Sequence, residues 1–191
     1  MRAGVALGSN LGDRMANLDA ARKAIVNLVR HRSATGRIRP TGETDSPWRD
    51  GAGPPVVASP IYETEPIGCE PGAGKFLNAV VEFEYEGEPV DLLEKLIRIE
   101  ESLGRKRDHA RNISRTIDID LLYCGDLKVE NERLHLPHPQ LHLRKFVLAP
   151  LADIRPDLIV PNQAKTVREL LAQLGDSGKL VRCKDQWYPI T

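Results

Sequence analysis

Residues 115–126 read "RTIDIDLLYCGD". Two aspartates, Asp118 and Asp120, stand among Ile117, Ile119, Leu121 and Leu122. On a helix, residues two apart point away from each other. On a strand they point the same way, roughly 6–7 Å apart. The branched isoleucines favour the strand. Asp118 and Asp120 therefore share one face, while Ile117, Ile119 and Leu121 take the core side. Two carboxylates this close are most comfortable with a cation beside them. Hard divalent ions take carboxylate oxygens, and Mg²⁺ takes one or two of them together with phosphate oxygens.

The flanking residues sharpen that reading. Arg105, Lys106, Arg107, Arg111 and Arg115 lie just upstream, and Arg133 and Arg144 follow. Arginine forks suit phosphate oxygens. An acidic pair among arginines points to a metal-bound polyphosphate. No Walker loop supplies the phosphate site. In "CEPGAGKF", Cys69 stands where the first glycine belongs and Phe76 replaces the Ser/Thr. His135, His138 and His142 suggest zinc only superficially, because Pro137 and Pro139 break the helix that would align them. They read as structural or phosphate-contacting histidines.

Outward from this strand the pattern alternates. Residues 3–8, "AGVALG", read as a buried strand, and "GSNLGD" as a turn. Apolar residues at helical spacing from Met15 to Val29 predict an amphipathic helix over 14–30. Residues 31–55, rich in Gly, Pro, Ser and charge, read as an insertion. "VVASPIYET" reads as a strand and "EPIGCEPGAGK" as a loop. In "FLNAVVEFEY", Leu77, Ala79, Val81, Phe83 and Tyr85 take one face, and Asn78, Val80, Glu82 and Glu84 the other, which predicts a half-buried strand. "PVDLLEKLIRIEESLG" is a helix opened by Pro89 and closed by Gly104. The order is β-α-β-β-α-β, an α+β, ferredoxin-like sheet with its helices on one face. Beyond residue 133 the pattern is less regular, with a short helix in "TVRELLAQLG" and a last strand in "GKLVRCK" as C-terminal additions. One domain is expected over 1–191, with an extension after about residue 161.

Bulk composition excludes several classes. Charge is balanced, 27 basic against 27 acidic residues, so no basic field advertises a nucleic-acid or membrane partner. Aromatics are 5%, too few for a base-stacking surface. Three scattered cysteines form no even disulfide set and favour a reducing compartment. No apolar run suits a signal peptide or a membrane span. A monomeric cytoplasmic protein is expected.

Six segments now gather. "LGSNLGDR" at 7–14, "SPIYETEPIG" at 59–68, "FLNAVVE" at 76–82, "RIEESLGRKR" at 98–107, "RTIDIDLL" at 115–122 and "LPHPQLHLRKFVLAPL" at 136–151 occur in one order. Together they resemble the 6-hydroxymethyl-7,8-dihydropterin pyrophosphokinase family of folate biosynthesis, over most of 3–161. The resemblance implies transfer of pyrophosphate from ATP to the pterin hydroxymethyl group, with release of AMP. It implies that Asp118 and Asp120 ligate two Mg²⁺ ions, and that Arg105 and Arg115 neutralise charge on the transferring group. Arg107, Arg133, His138 and Arg144 would grip ATP, and Glu100 would brace the nucleotide site. The pterin would sit between Phe76 and Phe146, with Asn78 and groups near Thr64 and Ile67 bonding it, and with Gly8, Ser9 and Asn10 as its floor. Before the paired aspartates, this chain carries Asn112 and Ser114 where many members have an aromatic and a proline. Two rivals share some of these features: a nucleotidyltransferase, and a non-enzymatic ferredoxin-like binding module.

Overall fold

The apolar faces read from the sequence meet in one sheet. The computed structural model describes residues 1–33, 56–66, 69–105, 114–175, 179–184 and 187. The elements are β1 (Arg2–Ser9), α1 (Arg14–Ser33), β2 (Val57–Ala58), β3 (Ile61–Thr64), β4 (Phe76–Glu84), α2 (Pro89–Ser102) and β5 (Asp118–Cys124), followed by β6 (Val129–Glu130), β7 (His135–Leu136), α3 (Lys145–Ile154), α4 (Val167–Gln173) and β8 (Leu180–Lys184). The main sheet runs β5-β1-β4-β3-β8, with β2 also on β4, and every pairing is antiparallel. Strands β6 and β7 form a separate small ladder.

One face of the sheet is a dry core. Leu7, Ala79, Val81, Phe83, Ile119 and Leu121 pack there against Leu18, Ile25, Leu92 and Leu96 of α1 and α2. Helix α1 starts where the Asp13 carboxylate accepts the Ala16 N–H at 3.0 Å. It runs to Ser33, past the end of its apolar period and into the first residues of the expected insertion. The rest of that insertion lies outside the described residues. Helix α2 opens on Pro89 and is followed by Gly104 at φ 87°, the left-handed position that glycine takes most easily.

The opposite face is covered by the C-terminal additions. Val80, Leu122 and Tyr123 pack under α3 and α4 with Leu148, Leu151 and Leu170. Strand β4 is therefore buried on both faces where the sequence predicted half burial: Asn78, Val80 and Glu82 are all buried. A bulge between Gly4 and Val5 of β1 shifts the register against β5, pairing Gly4 with Tyr123. A Cβ on Gly4 would come within 2.3 Å of the Tyr123 ring, so only glycine admits that ring. The stretch 56–64 is two strands rather than one. Pro60 lacks an amide donor, and Ser59 fills the break: its N–H donates to Val80 O at 2.8 Å, and its Oγ accepts the Val80 N–H at 2.9 Å.

Candidate active site

Register decides which polar residues meet. Across β5, β1 and β4, Asp118 pairs with Gly8, and Gly8 pairs with Asn78. Asp120 pairs with Ala6, one pleat further along the same face. Asn78 is next to Tyr62 of β3, and Phe76 is next to Thr64. A Cβ on Gly8 would have Asn78 Oδ1 at 3.4 Å and both the Asp118 Cβ and the Phe76 ring at 3.9 Å. The missing side chain of Gly8 thus leaves an open floor bounded by a carboxylate, an amide and an aromatic ring.

The carboxylates are held by guanidinium groups. Asp118 Oδ1 lies 2.7 Å from Arg105 Nη1, and its Oδ2 lies 2.6 Å from Arg115 Nη1. Asp120 Oδ2 lies 3.2 Å from Arg144 Nη1. Arg144 also donates to Gln140, and its guanidinium lies 5.5 Å from the Phe146 ring centre. Burial, and then the nearby Asp118 charge, raise the Asp120 carboxyl above the ordinary range.

The outer edge of β5 anchors two further groups. Strand β5 has β1 on one side only, so its other edge needs partners. The buried Glu100 carboxylate accepts the Ile119 N–H at 2.6 Å and also pairs with Arg105. Burial pushes the Glu100 carboxyl up to about 7, while the Arg105 charge and the Ile119 N–H pull the other way. His138 covers the next open position, its N–H donating to Leu122 O at 2.8 Å. The same edge bonds that finish the strand thereby bring Arg105 and His138 beside the two aspartates. Burial lowers the His138 pKa, outweighing the Asp120 charge. Its Nδ1 accepts the Gln140 N–H at 3.2 Å, which leaves Nε2 as the protonated nitrogen of the neutral ring.

The turn after β1 ties the site to the segment entering β5. Asn10 N and Leu11 N donate to Arg115 O at 3.1 and 3.2 Å, and Asn10 Oδ1 accepts the Arg115 N–H at 2.6 Å. Ser9 Oγ donates to Thr116 O at 2.5 Å. On the other flank the Asn78 amide donates to Thr64 Oγ1 at 2.8 Å.

Most of the residues expected from the sequence therefore converge: Gly8, Asn10, Phe76, Asn78 and Thr64 on one flank, Glu100, Arg105, Arg115, Asp118, Asp120, His138, Arg144 and Phe146 on the other. Arg133 stands apart, exposed and 3.9 Å from Glu94 of α2. Arg107 and Ile67 lie outside the described residues. Sequence reasoning overlooked Gln140, which touches both His138 and Arg144, and Glu70, which bonds Ser114. No spacing marks either residue; only the folded loops bring them in. Among the described residues no three His, Cys, Asp or Glu side chains are grouped to hold a metal ion.

A family model described as 7,8-dihydro-6-hydroxymethylpterin-pyrophosphokinase (HPPK) matches residues 4–156. The chain belongs to this family. It is 41% identical to the 2-amino-4-hydroxy-6-hydroxymethyldihydropteridine pyrophosphokinase of Methylorubrum extorquens, over 93% of this chain and 96% of the relative. The Haemophilus influenzae enzyme of the same name is 36% identical, over 90% of this chain and 92% of the relative. The wild-type HPPK-DHPS of Plasmodium falciparum, solved with pteroate, superposes with a TM-score of 0.57 at 17% identity. That match covers 90% of this chain and 42% of the other, and it supports the fold.

Proposed function

We propose that this HPPK family member transfers pyrophosphate from ATP to 6-hydroxymethyl-7,8-dihydropterin in folate biosynthesis. The pterin hydroxyl oxygen attacks the β-phosphorus. The bond from that phosphorus to the oxygen bridging the α-phosphorus breaks, AMP leaves with the bonding pair, and the hydroxyl proton is released. The observation that carries the proposal is the row Asp118–Gly8–Asn78, a carboxylate and an amide on either side of one open position; we read the first as the phosphate side and the second as the pterin side.

Each flank has a part. Asn78, oriented by Thr64, offers its amide to the pterin ring, with Phe76 beside it and the Gly8–Asn10 turn beneath. Phe146, beside Arg144 across the site, is proposed as the opposing ring, and backbone near Thr64 and Ile67 as further ring partners. On the other flank, Arg105 and Arg115 turn from Asp118 toward the transferring group, where charge builds in the transition state. Arg107, Arg144 and Arg133 bind ATP phosphates, with Arg133 leaving Glu94 to do so. Neutral His138 contributes an Nε2–H hydrogen bond rather than a charge. Glu100 keeps Arg105 aligned.

Asp118 and Asp120 suit Mg²⁺ chemically, being hard oxygen donors on one face of a stiff strand. Their present guanidinium partners are only partly buried and free to exchange for phosphate. We propose two ions there; bound Mg²⁺ supplies neutralisation and alignment of the polyphosphate oxygens. A monomer is proposed. Among the described residues no helix is long and apolar enough to cross a membrane; a cytoplasmic location is part of the proposal.

Product analysis tests this directly. ATP, Mg²⁺ and hydroxymethyldihydropterin should give AMP, and omitting the pterin should abolish it. Release of free pyrophosphate with a nucleotidylated acceptor would mark the nucleotidyltransferase reading. No turnover with tight ligand binding would mark a binding module.

A further inference from the structure

Residues 69–75 lead into β4 and thus to Phe76 and Asn78. Their bonds cross to the segment that enters β5. Glu70 Oε1 accepts the Ser114 N–H at 3.0 Å and the Ser114 O–H at 2.5 Å. Ser114 Oγ in turn accepts from Asn10 Nδ2 at 3.0 Å, and the same Nδ2 lies 3.3 Å from Gly74 O. Asn10 Oδ1 accepts the Arg115 N–H at 2.6 Å. At the far end, Arg14 Nη1 donates to Lys75 O at 2.8 Å and to Glu63 at 3.0 Å. The stretch 69–75 is therefore fastened to the arginine segment by Glu70 and, through Asn10, by Gly74, while Lys75 is held by Arg14 and Glu65.

We propose that Glu70 and Ser114 are positioning residues for pyrophosphate transfer, locking the stretch before β4 to the Arg115 segment through Asn10. The inference rests on the functional reading above. Neither residue touches Asp118 or Asp120 in the described contacts. Their effect passes through Asn10, which joins Ser114, Gly74 and the Arg115 backbone in one network. Two donors converge on one carboxylate oxygen, an arrangement that a neutral amide oxygen accepts more weakly. The Glu70 carboxyl is held below its usual range, chiefly by the Ser114 hydroxyl, as expected of a charge that is used. With the lock closed, the pterin-side ring and amide and the Arg115 guanidinium keep one relative placement. With it open, Asn10 loses a partner and both flanks gain freedom at the atom where transfer occurs.

The test combines a reading of the lock with a reading of turnover. Amide exchange in the full chain should show Ser114 and Arg115 protected in the wild type. Both amides should exchange faster in Glu70→Gln. In kinetics, Glu70→Gln and Ser114→Ala should each raise the pterin KM by up to about five-fold, the upper weight of a hydrogen bond to an exposed carboxylate. The ATP KM should stay within about two-fold. The effects of Glu70→Gln and Ser114→Ala should be less than additive in the double variant, because both act on the bond between the Ser114 hydroxyl and Glu70. Ser114→Thr, which keeps the hydroxyl, should restore the wild-type KM. A purely structural role would lower Tm without separating the two KM values. Unchanged exchange at Ser114 and Arg115 in Glu70→Gln, or additive effects in the double variant, would overturn the proposal. Faster exchange would support the lock even for a wild type that made no AMP, so failure of the lock and failure of the functional reading are told apart.

Discussion

Along β5, Ile119 and Leu121 enter a dry core under α1 and α2, whereas their immediate neighbours Asp118 and Asp120 meet arginines. The same alternation runs along β4, where Ala79 and Val81 pack in the core and Asn78 faces the floor at Gly8. One strand thus serves two purposes through its period of two. The apolar side fixes where the strand lies; the polar side inherits that placement. Stability and chemistry are consequently separable at neighbouring positions, and that separation can be attacked from either side.

The largest expected effect is on the polar side. Asp120→Asn should lower kcat on the order of a thousandfold, the scale for removing one charge from a preorganised phosphate site. Its Tm should hold or rise slightly. Burial and the Asp118 charge already raise the Asp120 pKa, so its ionised form opposes folding. Steady-state kinetics and a thermal melt on the same sample check both halves. A variant that loses Tm in step with activity would merge the two faces.

The mirror experiment is on the apolar side. Leu96 of α2 is fully buried against the sheet. Leu96→Ala should cost about 2–5 kcal/mol, the usual range for a buried leucine cut to alanine. Both KM values should stay within about two-fold below the melt. Denaturant unfolding measures the first, and kinetics at low temperature the second.

The smallest effect concerns Glu100, which breaks the division by standing on α2 yet reaching the site edge. Its folded pKa, raised to about 7, lies above the unfolded value. The folded state therefore holds the proton longer. The resulting contribution to stability is full below the ordinary carboxylate range and is lost as pH rises toward 7. Glu100→Gln should flatten the stability profile between about pH 5 and 7 by on the order of 1 kcal/mol. Urea midpoints across that range give the slope; an unchanged slope would show that Glu100 does not set it.

Legibility followed the same division. The Asp118/Asp120 face and the core face of β4 were plain in the sequence, because alternation is local. Burial of the second face of β4 was not, because Val80 packs under α3, more than sixty residues later. Helix α3 itself was hidden: Pro150 sits inside it, and Val147–Leu151 is a continuous buried run with no helical period to read. The break at Ser59–Pro60 was hidden as well, since a serine hydroxyl there stands in for ladder bonds. Of the candidate site, Asp118, Asp120, Arg105, Arg115 and Arg144 were legible from residue type and order, and Glu100 only through the family resemblance. Gln140 and Glu70 were not, since loop closure alone brings them to Arg144 and Ser114.

The central claim is that one polar face holds both substrates side by side, with Asp118 on the nucleotide flank and Asn78 on the pterin flank of Gly8. Calorimetric titration of the pterin into the protein, with and without a non-hydrolysable ATP analogue and Mg²⁺, tests it most directly. Nucleotide that draws Arg105, Arg115 and Arg144 away from the carboxylates should complete the adjoining pocket. The pterin should then bind at least about ten-fold tighter with the analogue present, within the usual range for coupled sites. Equal affinity in the two titrations would contradict a shared face.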